Sequence, residues 1–185
     1  MEDQVIIELY WKRDEAAIQE TDLKYGRFCH SLALNILAQQ EEAEECVSDT
    51  YHRAWNAIPP ERPLALRAWL GKIVRNVAIN RWYYHRAQKR YQPMEEIFSE
   101  LADCVPEPQT TESIVEAREL TDYIDKWLDT LPKRDRVLFV RRYWNGEALQ
   151  KLATSCSTSP NKLAGRMYRL RENLRTYLTE KGVAL

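Results

Sequence analysis

The sequence predicts an all-α protein: two small helical domains joined by an acidic linker, the second ending in a helix-turn-helix. Three observations predict it. Apolar residues recur at helical spacing along most of the 185 residues, there are only 5 glycines, and no run alternates as a strand would. Charge is segregated: residues 1–60 carry net −7, 61–90 net +7, 91–130 net −9 and 131–185 net +8. The periodicity breaks between residues 91 and 112, where three prolines and many acids gather. The expected domains are therefore 1–90 and 113–185, with 91–112 as linker.

Each basic module follows an acidic one. Basic modules suit polyanions, through counterion release and steering. The acidic modules cannot bind phosphate and need another partner, such as a protein. No apolar run approaches the ~20 residues that span a bilayer. The N-terminus lacks a basic flank followed by a long apolar stretch, so a cytoplasmic protein without membrane insertion is expected. Cys29, Cys46, Cys104 and Cys156 are far apart, with no C-x-x-C spacing, so buried free thiols are expected rather than a zinc site or disulfides.

Residues 5–38 read as one or two helices, with Tyr25, Phe28, Cys29, Leu32 and Ile36 at helical spacing. Residues 41–58 form the next. Ala43, Val47, Thr50, Tyr51, Ala54 and Ile58 make its buried stripe. Its early glutamates suit the positive end of the helix dipole. Glu42, Glu45, Asp49, His52, Arg53 and Asn56 point outward, and the ordinary reading of such a face is simple solvation. Pro59, Pro60 and Pro63 end the helix and stiffen the following loop.

The central stretch runs from Leu64 to Arg90. Leu66, Trp69, Leu70, Ile73, Val74 and Val77 share one stripe. Lys72, Arg75, Ile79, Trp82 and Arg86 fall opposite, with Asn80 on the core side. An indole among cations, facing away from the core, suits single-stranded nucleic acid: phosphates pair with the cations and bases stack on the ring. Tyr83 and Tyr84 add stacking candidates. The alternative is that Trp82 packs on a neighbouring segment, and this stretch alone leaves both open.

In the linker, a short helix around Glu95–Leu101 is expected. Periodicity resumes with Ile114, Ala117, Leu120, Thr121, Ile124, Leu128 and Leu131. Pro132 opens a further helix in its first turn, ending near Asn145–Gly146. Residues 147–155 form a short helix with Leu149, Leu152 and Ala153 inward. A turn follows, then Ser159 as N-cap, Pro160 as first helical residue, and a long helix with Leu163, Met167, Leu170, Leu174 and Leu178 inward. This is a helix-turn-helix, whose second helix enters a major groove. Asn161, Lys162, Gly165, Tyr168 and Arg169 lie on its reading face. Lys and Arg can read guanine and Asn can read adenine. Arg166 and Arg171 flank that face, better placed for phosphates.

Four stretches carry a family resemblance across nearly the whole chain: EEAEECVSDTYHRAW, RAWLGKIVRNVAINRW, LPKRDRVLFVRRYWNGEALQKLA and SPNKLAGRMYRLRENLRTYL. In this order they resemble the RNA polymerase sigma factors of the extracytoplasmic-function type, in the sigma-70 family. The resemblance implies that Glu45, Asp49, His52, Arg53 and Asn56 dock core RNA polymerase, on the clamp of its largest subunit. It implies that the loop 59–66 and the helix after it melt promoter DNA, with Lys72, Arg75, Asn76, Trp82 and Arg86 holding the −10 strand. It implies that Asn161, Lys162, Gly165, Arg166, Tyr168 and Arg169 read the −35 element as duplex. The linker would run through the polymerase, and an anti-sigma factor would be a further partner. Asn161 and Ala164 stand where the family commonly has Gly and a basic residue, so a different sequence preference is expected.

Two other classes remain to be weighed. A stand-alone dimeric helix-turn-helix regulator explains residues 131–185 but not the charge of 61–90. A two-metal enzyme would need a second Asp/Glu-x-x-His motif to match Asp49-x-x-His52, and none exists. No cofactor, metal or catalysis is expected.

Overall fold

The computed structural model describes residues 1–86, 92–106 and 114–184. The side chains of residues 85, 86, 92, 93 and 114–117 also lie outside the description. The described residues are helical with connecting turns, and they form two units, Met1–Tyr91 and Gln92–Leu185.

The first unit holds α1 (Asp3–Trp11), α2 (Ala16–Leu37), α3 (Gln40–Ala57) and α4 (Leu66–Arg86). α2 packs on both α3 and α4, which also pack on each other, and α1 lies on α2. The stripe expected on α3 is buried in full, with Cys46 added. α2 stops because Ala38 turns left-handed at φ 57°. Gly26 has a steric reason: a Cβ there would sit 2.5 Å from Asp22 Oδ1, the acceptor of the Tyr51 hydroxyl.

α4 departs from the expected wheel. Leu66, Leu70, Val74, Ala78 and Trp82 are all buried. They are four apart, and each such step turns about 40° around the axis. The buried surface therefore follows a slanted i, i+4 ridge of the kind that packs into neighbouring grooves. Trp82, expected to face outward, lies at the ridge's far end and is 0% exposed. Asn80, expected to face the core, is exposed.

The second unit holds α5 (Gln92–Ala102), α6 (Ile114–Thr130), α7 (Lys133–Phe139), α8 (Leu149–Ser155) and α9 (Pro160–Glu180). α5 lies in the stretch expected as linker and is longer than the helix expected there. Met94 and Ile97 are buried on it, and Cys104 just beyond it. On α6, Thr121 was expected inside and is exposed, whereas Trp127 is the buried anchor. Its indole donates to Asn173 Oδ1 at 2.7 Å and its ring meets Phe139 edge-on at 4.8 Å. Pro132 is the cap before α7 rather than its first residue. α7 loosens into a π-helical turn, Val140–Trp144, and Gly146 leaves it at φ 69°. α9 buries the five residues expected, and Ser159 caps it by accepting from the Lys162 amide at 3.3 Å.

Candidate nucleic-acid and protein interfaces

α3 presents the first surface. Its inward stripe leaves Glu45, Asp49, His52, Arg53 and Asn56 exposed together. Asn56 Nδ2 lies 3.4 Å from His52 Nδ1. Sequence reasoning missed Arg81, which reaches across from α4. It donates to Glu45 Oε2 at 2.8 Å, to Asp49 Oδ2 at 2.7 Å and, more weakly, to Glu42 Oε2 at 3.5 Å. The hydrogen bonds to Glu45 and Asp49 hold its guanidinium above its ordinary pKa. Helical spacing within α4 carries no signal for a partner 32 or more residues away.

α4 and the loop before it present the second surface. Lys72, Asn76 and Asn80 are exposed in a row at i, i+4 and i+8, with Tyr83 and Tyr84 exposed beyond them. Of the residues expected here, Arg75 is half-buried, and burial lowers its pKa. Trp82 is inside, set edge-on against Tyr83 with ring centres 5.0 Å apart, and offers no outward face for stacking. Arg86 ends α4, and its side chain lies outside the described residues. The loop is tied at several points. Arg62 donates to Glu8 at 2.6 Å and lies over the Trp11 ring, and the Trp69 indole donates to Glu61 at 2.8 Å. Leu64 stands out from this loop, 97% exposed.

The second unit presents a third surface, around the start of α9. Asn161, Lys162, Tyr168 and Arg169 are exposed, and Gly165 and Arg166 half-exposed. A depression of about 420 Å³ is lined by these residues except Tyr168, and bordered also by Arg134, Cys156 and Thr158. A Cβ on Gly165 would meet only the end of Arg169, at 3.9 Å, so close packing does not require glycine there. Arg166 donates through Nε to Asp135 of α7, which raises its pKa. Arg171, expected beside the phosphates, turns inward instead: it donates to the Tyr143 hydroxyl at 2.7 Å and to Glu100 Oε2 at 3.3 Å.

Glu100 of α5 is the centre of that inner network. Its carboxylate accepts from Arg142 Nη2 at 2.6 Å and from the Tyr143 hydroxyl at 2.7 Å. Arg142 is fully buried and also donates to the Glu147 carbonyl at 3.0 Å. Burial acts first on Arg142 and lowers its pKa, but hydrogen bonding to Glu100 and the nearby Glu96 raise it on balance. Among the described residues no group of His, Cys, Asp or Glu is placed to hold a metal ion, and no helix is long and apolar enough to cross a membrane.

Residues 23–91 match the family Sigma-70 region 2, which covers α3, α4 and most of α2. The whole-chain relatives include the ECF RNA polymerase sigma factor SigE of Mycolicibacterium smegmatis, 23% identical over 167 residues and covering 90% of this chain and 62% of that protein. RNA polymerase sigma factor SigV of Bacillus subtilis is 23% identical over 160 residues, covering 84% and 87%. The probable RNA polymerase sigma factor RfaY of Xanthomonas campestris is 23% identical over 155 residues, covering 82% and 38%. This chain thus spans less than two thirds of the first and third of these. A solved structure of CnrH in complex with the cytosolic domain of CnrY aligns over 96% of this chain and 97% of that one, at 19% identity and a TM-score of 0.43.

Residues 23–91 thus match a Sigma-70 region 2 domain. Over most of its length the chain is similar to RNA polymerase sigma factors, one of them of the ECF type.

Proposed function

We propose that this protein is a promoter-specificity subunit with no catalytic activity of its own: it binds core RNA polymerase and directs initiation at a chosen set of promoters. What supports the reading is the pairing of two unlike surfaces in a unit that matches Sigma-70 region 2. The α3 face is polar and acid-rich, suited to a protein. The α4 face is uncharged or basic, with aromatic rings, suited to a single strand.

The roles divide by surface. Glu45, Asp49, His52, Arg53 and Asn56 dock the polymerase clamp. Lys72, Asn76, Asn80, Tyr83 and Tyr84 hold the melted −10 strand, with Arg75 and Arg86 adding positive charge. Asn161, Lys162, Tyr168 and Arg169 read the −35 element as duplex, with Gly165 admitting close approach of the DNA. Arg166, paired to Asp135, offers its remaining N–H groups to a phosphate. An anti-sigma protein would cover one of these surfaces until initiation is required.

The test is run-off transcription with bacterial core polymerase and a randomised promoter library, with and without the protein. Transcripts that appear only with the protein are expected, and their starts would define both promoter elements. Tight binding to a palindromic duplex without polymerase, and no transcripts, would overturn the reading in favour of a dimeric regulator.

A further inference from the structure

Arg81 joins two surfaces that the proposed function treats separately. It stands on α4, the strand-holding helix, yet its guanidinium lies over α3 and pairs with Glu45 and Asp49. Trp82, its neighbour, explains the direction. Burial of the indole fixes the rotation of the last turns of α4, and the preceding residue is thereby aimed at α3.

The pairing has a specific form. Glu42, Glu45 and Asp49 are spaced i, i+3 and i+7, so three carboxylates share one stripe of α3. Without a cation their mutual repulsion would spread the side chains. Arg81 gathers them, and its planar fork is suited to two carboxylates at once. It engages Oε2 of Glu45 and Oδ2 of Asp49. The second oxygen of each carboxylate can then accept from a partner's donor. Both side chains remain well exposed, 70% and 51%, so the arrangement leaves them reachable.

We propose that Arg81 is a positioning residue for polymerase docking, holding Glu45 and Asp49 in the orientation that a cationic surface of the core enzyme recognises. The inference rests on the docking role proposed for α3. A side chain ordered before binding does not have to be ordered during it, so its loss weakens association even though a positive charge is removed.

The measurement is the affinity of the full chain for core polymerase, by competition against a labelled sigma factor, with thermal melting of each variant as control. Arg81→Ala is expected to weaken binding about five- to tenfold, a coupling ordinary for charges in one network. Arg81→Lys, which keeps the charge but lacks the rigid planar fork that sets both carboxylates in one geometry, falls between. In the background Glu45→Gln with Asp49→Asn, Arg81→Ala has no further effect. At saturating core polymerase, Arg81→Ala supports initiation at the unaltered rate, which separates docking from strand capture. Tighter binding by Arg81→Ala would overturn the proposal, by making Arg81 a competitor of the polymerase. Additive loss in the carboxamide background would overturn it too, by making Arg81 merely a support of the fold. If Glu45→Gln with Asp49→Asn itself leaves affinity unchanged, the docking role of α3 fails. If that variant weakens binding and Arg81→Ala does not, only the role of Arg81 fails.

Discussion

Trp82 and Tyr84 stand two residues apart on α4 and do different work. The indole is enclosed at the end of the slanted ridge, while Tyr84 is 76% exposed. Trp82→Ala is therefore expected to destabilise the first unit by about 3–5 kcal/mol, the usual cost of emptying a core aromatic site. A lowered melting temperature would check it. Tyr84→Ala should leave melting unchanged and weaken single-strand binding by the ~1–3 kcal/mol of a stacked base, with duplex binding unaffected. Fluorescence titration with single- and double-stranded oligonucleotides separates the two. The buried thiols give a pH dependence at the same scale. Burial pushes Cys29 and Cys46 up to about 12, from 9.0 when unfolded. Between those values the unfolded chain has released protons that the folded chain keeps. Stability is therefore full below pH 9 and falls as pH rises toward 12, by about 1.4 kcal/mol per pH unit for each thiol. Urea unfolding between pH 8 and 11 would show the fall, and Cys46→Ala would reduce its slope.

At the scale of elements, the legible and illegible parts of the sequence divide by the reach of the interaction. α9 was legible to the residue: its five buried apolar positions, the Ser159 cap and Pro160 are all set within one or two turns of chain. The α3 stripe was legible for the same reason. α4 was legible only at its start. A straight wheel drawn from Leu66 to Val77 cannot anticipate a ridge that slants to follow two neighbours, so Trp82 and Asn80 were exchanged. Arg166 and Arg171 read as surface cations, and Arg81 goes unassigned, because their carboxylate partners lie 31 to 71 residues away. The consequence for DNA reading is specific. Arg169 is exposed on the face proposed to read the −35 element, and on that reading Arg169→Ala should relax specificity at one base pair, at a cost of about 1–3 kcal/mol for the preferred base. Uniform weakening across sequences would instead make it a phosphate contact. Binding selections on a randomised duplex distinguish the two.

For the whole molecule, the question is where the second folding unit begins. The break in periodicity and the prolines suggest residue 113, because a stretch rich in acids and proline looks like a tether. The inner network argues for an earlier start. Arg142 is fully buried, and its side-chain carboxylate partners are Glu100 and, at 3.3 Å, Glu96, both on α5. Tyr143 and Arg171 use the same Glu100 carboxylate. A fragment starting at residue 113 would retain Arg142 without either acid, and would uncover the apolar sites that Met94 and Ile97 fill. An uncompensated buried charge costs about 3–5 kcal/mol, a large share of the stability of a domain this small. The fragment 92–185 is therefore expected to melt cooperatively and to bind −35 duplex. The fragment 113–185 should melt broadly or not at all, and Glu100→Ala in the longer fragment should reproduce most of that loss. Glu96 and Glu100 then have a structural use of their own: they neutralise Arg142, and Glu100 also holds Arg171 of α9. Equal stability of the two fragments would show that α5 rests on the second unit without supporting it.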